Sequence, residues 1–90
     1  MTGKVELYIA GRAANSQIAR RNLEAAVARV DGGVEVEIVD VLADPKRAMF
    51  AGILVTPTLV RRQPPPVGML LGTLVDAEGL LAFLGQERSE

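Results

Sequence analysis

The chain has 90 residues, a formal charge of −1 and 49% apolar residues, which suits one domain, 1–90, with a packed core and no strong field toward nucleic acid or anionic lipid. Cysteine and histidine are both absent, so disulfide exchange, thiolate catalysis and imidazole base or metal chemistry are excluded. Tyr8, Phe50 and Phe83 are too few aromatics for a nucleic-acid stacking platform, no apolar run reaches about 20 residues, and the opening Met-Thr-Gly-Lys-Val-Glu has no signal-peptide core. The expected location is cytoplasmic, with no membrane partner.

Val5-Glu-Leu-Tyr-Ile9 alternates and predicts a strand. The small, polar stretch Gly11–Ser16 connects it to a helix capped by Asn15 or Ser16. Ile18, Leu23, Ala26, Val27 and Val30 then recur at helical spacing, with Arg20, Arg21, Glu24 and Arg29 for the wet face. Asp31-Gly-Gly33 ends that helix, and Val34–Val41 alternates as a second strand. Strand, helix and strand in this order imply a parallel pair with a right-handed crossover.

Asp44-Pro45 reads as a cap followed by proline at the first helical position. Lys46–Ala51 forms a short helix with Met49 and Phe50 as its apolar anchors, and Gly52 ends it. Ile53–Val60 is the third strand and Val67–Leu71 the fourth, joined as a hairpin. Asp76 caps a last helix in which Leu80, Leu81, Phe83 and Leu84 are apolar and Gly79 and Gly85 are weak points; residues 86–90 are expected to fray.

Pro57 sits inside the third apolar run, where a ladder needs every N–H. The order βαβαββα, with a mixed four-stranded sheet, resolves this by its resemblance to the thioredoxin fold. In that fold a cis-proline loop precedes the third strand, so Pro57 marks the strand's beginning and Thr56–Pro57 is expected to be cis.

The stretches "ELYIAG" (6–11), "NS" (15–16), "VEIVDVLADP" (36–45), "ILVTPTLV" (53–60) and "PPPVGMLLG" (64–72) together resemble the KaiB family of bacterial clock proteins over about Glu6 to Leu74. The resemblance implies a non-catalytic protein that binds the ring-shaped ATPase KaiC and helps to sequester KaiA, with no cofactor. It also implies a fold-switcher: a thioredoxin-like monomer that binds the partner, and a tetramer with a βαββααβ arrangement whose second half, from near residue 45, is rebuilt. Pro57, Pro64, Pro65 and Pro66 hold extended segments in either arrangement, and X–Pro isomerisation is slow enough to pace refolding. Phe83 adds an apolar anchor to the last helix and tips the expected balance toward the monomer.

The second strand is expected at a sheet edge, where strand addition to a partner is available. The resemblance places Glu35, Val36 and Glu37 in the partner contact; the alternative is that these glutamates guard the edge against aggregation. Arg61 and Arg62 suit an acidic partner surface or a solvated hairpin end. Gly11–Ser16 holds no C-x-x-C and no phosphate-binding glycine pattern, Asp40 and Asp44 lack a third metal ligand and read as turn and cap, and Ser16 and Thr56 have no histidine to activate them. No catalytic, metal or cofactor residue is therefore expected. A second reading is a thioredoxin-like adaptor for a histidine kinase or another signalling protein; a glutathione-binding or chaperone-like use is a third.

Overall fold

Val5, Leu7 and Ile9 point to one face of the central strand and are almost wholly buried there. The computed structural model describes residues 3–85, in the order β1 (Gly3–Ile9), α1 (Ala14–Val27), β2 (Val34–Asp40), α2 (Pro45–Phe50), β3 (Thr58–Gln63), β4 (Gly68–Leu71) and α3 (Ala77–Phe83). The sheet order is β2-β1-β3-β4. β2 runs parallel to β1, while β3 is antiparallel to β1 and to β4. This is the expected thioredoxin-like fold with a mixed four-stranded sheet, and β2 lies at one edge as expected.

Helices α1 and α3 cover the face bearing Val5, Leu7, Ile9 and Leu59, contributing Ala19, Leu23, Ala26, Leu80 and Leu84 to one core. Each fully buried leucine there is worth roughly 1.5–3 kcal/mol relative to exposure. The opposite face holds a smaller core of Tyr8, Val39, Ala48 and Val60 under α2. Its size follows from its cover, because α2 spans only Pro45–Phe50 whereas α1 spans Ala14–Val27.

Three expectations need correction. The N-cap of α1 is Ala13, with no side-chain cap bond; Ser16 is buried instead, and its hydroxyl accepts a hydrogen bond from the Ala10 N–H at 3.1 Å. The third strand begins at Thr58 and not at Ile53. Met49 and Phe50 do not anchor α2; both face solvent, and Ala48 is its buried residue. A helix of one and a half turns touches the sheet along a single line, and here that line runs through Ala48. The expectation that residues 86–90 fray lies outside the described residues.

Pro57 precedes the first ladder residue, so no sheet bond is lost. Its peptide with Thr56 is cis, as are Gln63–Pro64 and Pro65–Pro66. The Thr58 hydroxyl donates to the Val55 carbonyl at 2.7 Å, and the Gly72 N–H donates to the Pro57 carbonyl at 2.9 Å.

The caps of the later helices stand as read. Asp44 accepts from the Arg47 N–H at 3.3 Å and Asp76 from the Gly79 N–H at 3.0 Å. A Cβ at Gly79 would collide with the Asp76 carboxylate. Asp76→Ala should cost about 1 kcal/mol and lower the melting temperature by about 4–8 °C in thermal unfolding. Gly79→Ala should also destabilise, although alanine is intrinsically the better helix former, because it displaces that cap. Phe83 is half buried against the α1/α3 core, and the Arg61 guanidinium lies 4.7 Å above its ring.

Candidate partner-docking surface

At the β2 edge every residue from Glu35 to Ile38 is exposed. The pairing of Val36 with Val5 and of Glu37 with Glu6 places Val36 and Ile38 on the α1/α3 face and Glu35 and Glu37 on the α2 face. Among the described residues, the outer backbone groups of this strand face no neighbouring strand. That is the geometry strand addition requires.

Beside the edge, on the α2 face, lies a group of exposed apolar side chains. Phe50 is 88% exposed and Met49 71%, both on α2, and Leu54, in the segment that follows, is 94% exposed. Val41, Ala48, Ile53, Leu54, Val55 and Thr56 line a shallow hollow of about 460 Å³ next to them. Single exposed apolar residues are ordinary; several within one short helix and the segment after it suit an interaction surface.

An ionic cluster joins this surface to the sheet. The Glu6 side chain is 9% exposed and accepts from Arg47 Nη2 at 3.0 Å and from Arg62 Nε at 3.0 Å. The Tyr8 hydroxyl donates to the same carboxylate at 3.0 Å. Arg47 also donates to both oxygens of Glu37, at 2.5 and 2.7 Å. Burial by itself would raise the Glu6 carboxyl and is the largest single influence. Hydrogen bonds from Tyr8, Arg62 and Arg47 together outweigh it and hold the carboxyl below its ordinary value. Arg47 holds Glu37 low in the same way, and burial together with Glu6 pushes the Tyr8 phenol up.

These directions fix a pH dependence. A carboxylate lowered in the fold stabilises it above the unfolded value, roughly pH 4.3, and that contribution disappears as pH falls through the lowered value. The melting temperature should therefore fall on acidification below about pH 5. Glu6→Gln should flatten that fall when melting curves are compared across pH.

The predicted site residues divide between the two faces. Glu37 and Arg62 come together through Glu6 and Arg47. Glu35 and Val36 lie on the open edge. Arg61 points to the other face, where it donates to the Pro66 carbonyl through Nε at 3.2 Å and Nη2 at 2.8 Å and to the Phe83 carbonyl through Nη1 at 2.9 Å. Pro64, Pro65 and Pro66 form the β3–β4 connection that Arg61 fastens. Asp40 takes a turn role, accepting from the Gly11 and Leu42 N–H groups at 3.0 Å each. Among the described residues no group of acidic side chains is placed to hold a metal ion, and no helix is long and apolar enough to cross a membrane. Sequence reading missed Glu6, Tyr8, Arg47, Leu54 and the outward face of α2. The available signal was an acidic residue and a tyrosine alternating with the most apolar positions of β1.

The sequence model described as KaiB domain matches residues 6–86. The chain belongs to the KaiB family. Circadian clock protein KaiB3 of Synechocystis sp. is 39% identical over 82 residues, covering 89% of this chain and 79% of the relative. The circadian clock oscillator protein KaiB of Acaryochloris marina is 40% identical over 81 residues, covering 89% and 78%. Among solved structures, the N-terminal domain of Synechococcus elongatus SasA superposes with a TM-score of 0.77 at 21% identity, covering 100% of this chain and 90% of that one. Chloroplastic thioredoxin z superposes at 0.78 with 24% identity, covering 94% and 77%. At these identities the two structures speak for the thioredoxin-like fold alone. KaiB membership agrees with the motifs that suggested it, from "ELYIAG" in β1 to "PPPVGMLLG" at β4.

Proposed function

We propose that this KaiB-family chain is a non-catalytic regulatory module that binds a KaiC-type ATPase in its thioredoxin-like state. The observation that carries the reading is an open β2 edge tied through Glu37 and Arg47 to α2, the helix that carries the exposed Met49 and Phe50. Strand addition supplies backbone hydrogen bonds and the apolar group supplies desolvation, the two contributions a docking module needs. Catalysis has no support in the site: Glu6, the one buried carboxylate among the described residues, is fully engaged by Tyr8, Arg47 and Arg62.

Glu35, Val36 and Glu37 are the edge contacts in this reading, and Arg62 reaches the same face through Glu6. Arg61 contributes by fastening the proline connection at Pro64, Pro65 and Pro66 to Phe83, which favours the monomer over the βαββααβ tetramer. The setting is cytoplasmic, and KaiA is a further partner where a clock is present. A histidine kinase or another signalling protein is a second candidate partner.

Co-precipitation with a KaiC-family ATPase, with and without ATP, tests the first reading, and a kinase sensory partner run in parallel tests the second. Glu35 has an exposed side chain on the edge, so Glu35→Lys should change ATPase affinity severalfold with an unaltered melting temperature. Unchanged affinity would remove β2 from the contact.

A further inference from the structure

Helix α2 is too short to hold itself in place. It spans Pro45–Phe50, and isolated helices shorter than about 12 residues are marginal in water. Its one buried side chain is the Ala48 methyl, while Met49 and Phe50 face outward. Its tie to the sheet is Arg47. One guanidinium reaches Glu37 on β2 at 2.5 and 2.7 Å and Glu6 on β1 at 3.0 Å. Glu6 is in turn fixed from β3 by Arg62 and from its own strand by Tyr8. Two strands therefore hold one side chain of the helix that carries Met49 and Phe50, and a third braces it through Glu6.

We infer that Arg47 is a positioning residue for partner docking: its ionic latch to Glu6 and Glu37 holds α2 and the following loop on the sheet, and so presents Met49, Phe50 and Leu54 as one surface. With the latch open, α2 lifts and the apolar residues beneath it, Tyr8, Val39 and Val60, lose their cover. The docking consequence rests on the reading under Proposed function; the latch itself does not. The two arms differ in character. The Glu37 arm is solvent-exposed and weakens with added salt, whereas the Glu6 arm is shielded and persists. Lysine cannot replace the arginine, because a single ammonium cannot grip two carboxylates in a planar fork.

Amide hydrogen exchange on the free, full-length chain tests this without any partner. The reporters are Ala51, whose N–H donates to the Arg47 carbonyl at 3.0 Å, and Ile53, whose N–H donates to the Ala48 carbonyl at 3.0 Å. Arg47→Gln should speed exchange at these amides about tenfold or more, as expected for loss of a local opening barrier. The amides of β1 should stay within about threefold of the unaltered chain, and Arg47→Lys should recover only part of the protection. Raising salt from about 0.05 to 0.5 M should speed the same amides in the unaltered chain. Unchanged exchange at Ala51 and Ile53, or equal acceleration of β1, would overturn the latch. Affinity for a KaiC-family ATPase should fall severalfold in Arg47→Gln. Faster exchange with unchanged affinity would overturn the positioning role, while failure of the unaltered chain to bind would count against the proposed function and leave the latch standing.

Discussion

Phe50→Glu is expected to weaken binding to a KaiC-type ATPase by about 30-fold or more, the roughly 2 kcal/mol typical of an aromatic anchor at the centre of an interface. Phe50 is 88% exposed in the free chain, so the substitution removes no internal packing. The charge it adds would have to be desolvated within a docked apolar surface, which is costly unless a cation meets it. Leu54→Glu should behave alike, because Leu54 is as exposed and lines the hollow beside α2. Isothermal titration against the ATP-loaded ring measures the effect. Melting curves should show both variants as stable as the unaltered chain, separating a lost contact from a lost fold. Full affinity in both variants would place the contact away from α2.

Leu7→Ala should produce the largest loss of stability. Leu7 lies on the central strand, fully buried, with Ile38 paired on one side and Leu59 on the other. Truncating such a leucine costs about 2–5 kcal/mol, through lost transfer energy and the cavity left behind. For a domain of this size each kcal/mol moves the midpoint by about 4–8 °C, so a cost near 3 kcal/mol corresponds to a fall of about 12–24 °C. That is a large share of the margin such a domain has. A fall of only a few degrees would mean that the neighbours collapse into the space, or that Leu7 is less central to folding than its burial indicates.

Much of the fold was legible because it is local. Alternation in Val5–Ile9 and in Val34–Val41 located two strands, and Asp44-Pro45 and Asp76 marked helix beginnings through cap bonds that span three residues. The missing N–H of Pro57 marked a conflict within the run Ile53–Val60, and the resemblance to the thioredoxin fold placed it ahead of the strand. Ser16 misled because a serine near a helix start can cap it or turn inward. Here it turns inward, supplying the Ala10 N–H with an acceptor that the tight Gly11 turn, with φ of 53°, leaves out of reach of the strands. Met49 and Phe50 misled for a different reason: in so short a helix periodicity cannot say which side meets the sheet, and the small Ala48 lets the backbone approach while the large residues stay outside.

The ionic latch was invisible for a third reason. Glu6 is 41 residues from Arg47 and 56 from Arg62 in the chain. Only the parallel register of β1 and β2, which sets Glu6 beside Glu37, and the return of β3 along β1 bring those charges together. Patterns within one element carry no trace of such pairs. Family resemblance supplied the edge residues Glu35 to Glu37 as candidates, and the geometry adds a reason for their neighbourhood to matter: Glu37 belongs at once to the open edge and to the clamp on α2.

The most direct test of the docking surface is hydrogen exchange on the complex with an ATP-loaded KaiC-type ring. Protection gained over residues 34–42 and 47–55, with the outer face of α1 around Arg20 and Arg21 unchanged, is the expected result. Protection confined to α1, or none at all at saturating ring, would contradict docking through the β2 edge and α2.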